Sequence, residues 1–300
     1  MNKKKALTFT IIAGTRLCPC NCRICISKMT PTYCVGQNES KVNWQNFKRA
    51  SEMAFHIYGA ENVLITGKGE PTLDPAQITE FLHQLEGRPP YGKRELQTNG
   101  AYLTDPEILQ FLNVWKNHGL DTVAISIYSP EYQTNKEFFD CNRELPELGK
   151  MIDSVLSADL SVRLSCVLLK GGIDSVKTYL PLAEFCKERG VQQLTLREAS
   201  ISGKGEGKYA QSVKELRASE EQVFEIEKYI QSSCVKVDEL AHGATVYGDK
   251  GLQVCLTTGL SCNGKDEIRQ LIFFPNGTLS TSWENPEGSA VLHGWRVDNA

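Results

Sequence analysis

No stretch of the sequence reaches the roughly eighteen consecutive apolar residues that a membrane-spanning helix needs, so no span is expected. An excess of charge of either sign is also missing. The formal net charge of −3 leaves no electrostatic footprint for nucleic acid. Histidine is scarce, and the five residues His56, His83, His118, His242 and His293 fall at no ligand spacing, so each is assigned a solvated or satisfied role. Internal repeats and low-complexity tracts are absent. A secreted disulfide framework is not indicated either, because the eleven cysteines are odd in number and scattered through 300 residues. A reducing cytoplasm suits them better. The opening segment imitates a secretory signal with Lys3, Lys4 and Lys5, but its apolar part is short and interrupted by Thr8 and Thr10, and it reads as a first strand.

What remains is the composition of a soluble globular chain, 41% apolar and 23% charged, long enough for one barrel-sized domain with an appendage. Apolar strands alternate with amphipathic helices. Strands are expected at Leu7–Ala13, Asn62–Thr66, Glu95–Thr98, Asp121–Tyr128, Ser161–Leu169 and Val191–Arg197. Helices follow at about Trp44–Ile57 (capped by Asn43), Pro75–Leu85, Asp105–His118, Leu145–Leu156, Ser175–Arg189 and Ser219–Ser232. Six strand-then-helix units predict an α/β fold, a partial (β/α)6 TIM-like barrel with a parallel sheet. Residues 1–200 form this core in the reading, and 201–234 a linker and the last barrel helix. The linker is signalled by Gly203, Gly205 and Gly207. Residues 235–300 are expected to form a small β-rich appendage, with a hairpin turn at Pro275-Asn-Gly277.

Three cysteines stand at C-x3-C-x2-C spacing directly after the first strand, as Cys18, Cys22 and Cys25. Thiolate at that density suits a soft, thiophilic iron centre. Cys20 lies between them, and with it the loop offers the four ligands of a structural zinc site. Sheets of this kind bind ligands at the carboxyl ends of their strands. Each further motif sits on or just after a strand: Gly67-Lys-Gly-Glu-Pro71 after the second, Thr98-Asn-Gly100 after the third, Ser126 on the fourth, Arg163 on the fifth and Leu196 on the sixth. Alone, the glycines of the second motif also suit a turn that needs positive φ. Arg163, a cation inside an apolar strand, requires an anionic partner, and a neighbouring helix is one possible source.

The cysteine spacing, with Gly-Lys-Gly-Glu-Pro about forty residues later, resembles the radical S-adenosylmethionine (radical SAM) superfamily. The resemblance implies a [4Fe-4S] cluster on Cys18, Cys22 and Cys25, with S-adenosylmethionine chelating the iron that lacks a protein ligand. It places Ile24 near the adenine, Gly69 and Glu70 at the methionine amino group, Asn99 along the site and Ser126 at the ribose. Arg163 would meet the carboxylate and Leu196, through its backbone or its apolar side chain, the adenine, and Arg197-Glu198 would serve cofactor or substrate. Lys68 departs from the pattern, which has glycine there. The implied chemistry is reductive cleavage to a 5′-deoxyadenosyl radical that abstracts hydrogen from the substrate, with electrons from a donor such as flavodoxin or ferredoxin. A small organic or nucleotide-like substrate is expected, with a peptide as the alternative within the class and a non-catalytic zinc or iron-sulfur module as the alternative outside it. Cys234, Cys255 and Cys262 are the other grouped thiols, and their spacing lacks the pattern of an auxiliary cluster. Trp283 and Trp295 are expected to pack the tail.

Overall fold

Parallel strands need cover on both faces, and the order of the strands shows how this chain provides it. The computed structural model describes residues 4–87, 89–203, 205–239, 244–257 and 267–295. Six strands run side by side in chain order: β1 (Lys5–Ile12), β2 (Asn62–Thr66), β3 (Arg94–Thr98), β4 (Thr122–Ile127), β5 (Ser161–Leu168) and β6 (Gln193–Glu198). The intervening helices are α1 (Trp44–Glu52), α2 (Pro75–Gln84), α3 (Pro106–Asn117), α4 (Tyr132–Phe139), α5 (Leu148–Ser157) and α6 (Val176–Glu188). Then α7 (Gly207–Leu216) and α8 (Glu220–Ser233) precede the tail. Capping follows local chemistry. Asn43 accepts from the amide of Asn46 at the start of α1, and Ser175 and Ser219 form capping boxes with Thr178 and Gln222.

The tail does not form a sheet of its own, as a separate appendage over 235–300 would. Its strands are β7 (Val235–Glu239), β8 (Thr245–Asp249), β9 (Leu252–Thr257), β10 (Glu267–Phe273), β11 (Leu279–Ser280) and β12 (Ala290–Leu292). β10 pairs parallel with the outer edge of β1, and β9 parallel with the outer edge of β6. The barrel wall is therefore a run of eight parallel strands, β10-β1-β2-β3-β4-β5-β6-β9. Antiparallel β11 and β12 extend one end, and β8 and β7 the other. The hairpin turn forms where expected, with Gly277 at φ +93° and its amide donating to the carbonyl of Phe274 at 2.8 Å.

Register assigns the two faces. The pairs Leu64↔Glu95, Ala124↔Arg163, Ser126↔Ser165 and Val167↔Arg197 lie on the barrel interior. Phe9, Ile65, Leu96, Ile125, Leu164 and Leu194 point outward to the helices and are fully buried. One face is thus dry packing, worth about 1.5–3 kcal/mol for each large side chain removed from water, and the other is a polar lining. Phe47 of α1 joins this packing between Phe81 and Phe273, with ring centroids 5.0 and 5.1 Å away.

Two helices escape the periodicity. α4 occupies a polar stretch after β4, and α7 begins at Gly207 inside the segment expected to be a linker. Each buries only two residues, Asn135 and Phe139 on α4 and Ala210 and Val213 on α7. No helix among the described residues is long and apolar enough to cross a membrane.

Candidate functional site

At the carboxyl end of β1 the chain turns through Gly14, at φ +72°, into a loop carrying Cys18, Cys22 and Cys25 as free thiols. Cys20 is bonded to Cys141, 121 residues away, and is withdrawn from the ligand set. The amide of Asn142 donates to Pro19 O at 2.7 Å, and that of Asn21 to Phe139 O and Asp140 O, both at 3.0 Å. The segment after α4 therefore staples the loop in place. From the other side, Arg23 pairs with Glu215 at 3.8 Å and the Lys28 ammonium lies 5.1 Å from the ring of Tyr209, both partners being on α7. The two helices missed by periodicity are those that clamp the cysteine loop.

Burial pushes the Cys22 thiol up to about 12, and the charge of Cys25 adds to the rise. Cys18, although exposed as a residue, is pushed up to about 11 by local desolvation, with smaller contributions from Glu70 and Cys25. Each thiol therefore senses its neighbour's charge. Yet no three ligand atoms of this loop come within 4.8 Å of one another among the described residues. Thiolates closing tetrahedrally on one zinc stand only about 3.8 Å apart, for a Zn–S bond of ~2.3 Å. With Cys20 bonded to Cys141 the loop offers three free thiols, one short of a four-thiolate zinc site. Two donors address the sulfurs: the Asn99 amide at 3.5 Å from Cys18 Sγ, and the Tyr128 hydroxyl on Cys22.

The Gly-Lys-Gly-Glu-Pro segment leans on this loop through its backbone. Neither Gly67 nor Gly69 has positive φ, so the turn-geometry reading of these glycines is corrected. Space is the reason instead. A Cβ on Gly69 would lie 2.0 Å from Leu17 O, and one on Gly67 would lie 3.0 Å from Ala13 O. The next amide, that of Glu70, donates to Leu17 O at 2.8 Å. Gly69→Ala is accordingly expected to displace residues 16–18 and prevent wild-type iron uptake on reconstitution. Full uptake in a folded Gly69→Ala protein would contradict this close packing.

Glu70 is 2% exposed. Its Oε1 accepts from Thr72 N at 3.0 Å, Thr72 Oγ1 at 2.7 Å and Thr98 Oγ1 at 2.6 Å, and its Oε2 accepts from Asn99 N at 2.9 Å. Burial raises its carboxyl from the ordinary range, and the four donors oppose the rise. The side chain thus joins the ends of β2 and β3 and sets Asn99 against Cys18. Lys68 is 7% exposed; its ammonium donates to Thr30 Oγ1 at 2.5 Å and lies 5.1 Å from the Trp283 ring. Desolvation lowers its pKa to about 8, opposed by the charge of Cys25. Trp283 packs on Phe274, and its indole donates to Gln270 Oε1 at 2.8 Å, as expected of a packing residue.

Ser126 is on the barrel interior, and Ile24 is 9% exposed within the main core. Arg163 finds its anion on a strand of the barrel and not on a helix: Nη2 pairs with Glu95 Oε1 of β3, and Nη1 donates to Thr195 Oγ1 at 3.3 Å. Leu196 lies on the outward face, fully buried among the helices, so its side chain is turned away from the interior that Ser126 lines. Arg197 is on the interior face, and its Nε is buried without a hydrogen-bond partner. Burial, and then the cation of Arg163, lower its guanidinium to about 10. Residues missed in the sequence are Tyr128 and Asn135, whose Oδ1 accepts from the amides of Tyr128 at 2.9 Å and Ser129 at 3.1 Å. The sole hint was the polar character of the segment after β4. Cys255 faces Arg163 and Arg197, whereas Cys234 ends α8 near Asp249 and Lys187; Cys262 and His242 lie outside the described residues.

No family model matches the sequence. The GTP 3′,8-cyclase of Aquifex aeolicus (strain VF5) is 30% identical over 139 residues, 46% of this chain and 40% of the cyclase. Streptococcus suis SuiB bound to S-adenosylmethionine superposes with a TM-score of 0.61 at 15% identity, covering 93% of this chain and 60% of SuiB. SuiB bound to the precursor peptide SuiA gives 0.58 at 15% identity, covering 97% and 62%. A radical SAM methyltransferase from Sphaerobacter thermophilus gives 0.54 at 16% identity, covering 84% and 66%. The chain spans less than two thirds of the length of the cyclase and of SuiB. It has the fold of radical SAM enzymes, with the three-cysteine loop at the carboxyl ends of the barrel strands.

Proposed function

We propose that this chain is a radical SAM enzyme that holds a [4Fe-4S] cluster on Cys18, Cys22 and Cys25 and acts on a small anionic, nucleotide-like substrate. One observation carries the reading: three thiols are free and face one region at the carboxyl ends of the strands, while the fourth, Cys20, is bonded elsewhere. When bound, the cluster and S-adenosylmethionine would supply one-electron cleavage and a carbon radical strong enough to take hydrogen from an unactivated C–H bond. The protein's part is positioning. Asn99 and Tyr128 hold two of the sulfurs by hydrogen bonds, which also tune the potential of an iron-sulfur centre. Gly69 keeps the second motif against the loop, Ser126 offers a hydroxyl to the interior, and the packed helix layer keeps water from the far side of the sheet.

Arg163 is already paired with Glu95 through Nη2, and the Nε atoms of both Arg163 and Arg197 are buried without a hydrogen-bond partner, so the interior holds two guanidinium donors to offer. A buried guanidinium needs an anion, which favours a phosphate- or carboxylate-bearing substrate. The relatedness to a GTP 3′,8-cyclase supports a nucleotide in particular. A peptide substrate is the second reading. It rests on the likeness to SuiB and on the outer strand β7, all of whose residues are exposed, with Val235 at 73% and Val237 at 58%; an extended peptide can pair with such an edge. The electron donor in either case is a flavodoxin- or ferredoxin-like protein. The test is anaerobic reconstitution with iron and sulfide, then dithionite and S-adenosylmethionine, with chromatography for 5′-deoxyadenosine. Cluster-dependent formation of that nucleoside is expected. A colourless, zinc-loaded protein that forms none would leave only the barrel and remove the enzyme.

A further inference from the structure

We propose that His83, Glu86 and His118 bind one divalent ion of the zinc class at the end of the barrel opposite the cysteine loop. His83 lies in the last turn of α2, Glu86 just beyond it, and His118 at the end of α3. The nitrogens meet different oxygens of one carboxylate: His118 Nδ1 is 2.5 Å from Glu86 Oε1, and His83 Nδ1 is 3.3 Å from Glu86 Oε2. One ligand atom from each residue falls within 4.8 Å of the other two, and the imidazole centroids are 5.7 Å apart. Ligand atoms around a tetrahedral ion with bonds of about 2.0–2.1 Å are themselves separated by roughly 3.3 Å. The donors therefore need little movement to close on an ion.

The backbone beneath them is held by one side chain. Arg94, from β3, donates to His118 O at 2.7 Å and to Leu85 O at 3.1 Å, so a single guanidinium ties the ends of α2 and α3 together. Gly119 makes room for it: at φ +83°, a Cβ there would lie 2.6 Å from Arg94 Nη1. The indole of Trp115 donates to Thr79 Oγ1 at 3.0 Å and locks the same pair of helices. Charge is compatible with a cation. Arg94 opposes it, but Glu86 and Asp121 are close to that guanidinium, and both helices present their negative carboxyl ends. Two imidazoles with one carboxylate suit zinc and its neighbours, not magnesium or calcium, which take oxygen ligands. At the amino-terminal face of the strands the ion would brace α2 against α3 and take no part in chemistry.

Cysteine thiols also bind zinc, so the readout must belong to the histidines. Long-range 1H–15N spectra of the full-length, histidine-labelled protein report all five side chains separately, with His83→Ala and His118→Ala providing assignments. Stoichiometric zinc is expected to move the His83 and His118 signals together and leave His56 in place, and magnesium to move none. Glu86→Gln should weaken the response by at least about tenfold. Histidine signals that stay fixed under excess zinc would overturn the site, as would a His118 response that survives unchanged in both His83→Ala and Glu86→Gln.

Discussion

Cys22→Ala is expected to abolish iron uptake and S-adenosylmethionine cleavage together, whereas Cys20→Ala should retain both. The contrast follows from the assignment of thiols: Cys22 is a free thiol at the C-x3-C-x2-C spacing, and Cys20 is committed to Cys141. Cys20 has a different role. Closing a loop of 121 residues restricts the unfolded chain, and native bridges contribute roughly 2–4 kcal/mol. Cys20→Ala should therefore lower the unfolding temperature without reductant and match the wild type when thiols are kept reduced. Iron quantitation, the 5′-deoxyadenosine assay and paired thermal melts check the three parts. Equal loss of iron in the two variants would refute the ligand assignment, and restoration of the four-thiol zinc reading would then need zinc in the wild type and none in either variant.

Glu70→Ala should destabilise the protein by about 3 kcal/mol, a large effect for one side chain in a domain of modest net stability. The loss strands two backbone amides, that of Thr72, which is buried, and that of Asn99, which is half-buried, at a cost of ~1–3 kcal/mol for a buried group without an acceptor. The hydroxyls of Thr72 and Thr98 lose the same acceptor. Glu70→Gln keeps one carbonyl oxygen but turns an amide donor toward other donors, so an intermediate loss is expected. Both variants should also loosen Asn99 from Cys18. Equilibrium denaturation gives the first quantity, and the rate of Cys18 alkylation in the cluster-free protein gives the second. A Glu70→Ala protein within about 0.5 kcal/mol of wild type would show that the network holds nothing together.

Much of the frame was legible along the chain. The strand-helix alternation, the cap at Asn43, the hairpin at Asn276-Gly277 and the cysteine spacing depend on neighbours within a few residues, and all appear where the pattern places them. Elements with weak local signals were not legible. α4 lies in a polar stretch after β4 and α7 starts at Gly207 in a glycine-rich segment, and both lie beside the cysteine loop in space. The outward turn of Leu196 is a matter of register, since one residue along a strand reverses its face. The partial barrel of six units stands as read, and the strand order adds that β9 and β10 of the tail pair parallel with its two edges.

By itself the sequence determined the six strands of the core and the helices between and after them other than α4 and α7, its α/β class and the three thiols, because each is encoded in spacing and periodicity over a few residues. Only the tertiary structure decided which groups meet. It paired Arg163 with Glu95, bonded Cys20 to Cys141, pressed Gly69 onto Leu17, and brought His118 to Glu86. Those partners lie from 32 to 121 residues apart in the chain. Contact across such separations depends on strand register and helix packing throughout the barrel, which local pattern does not carry.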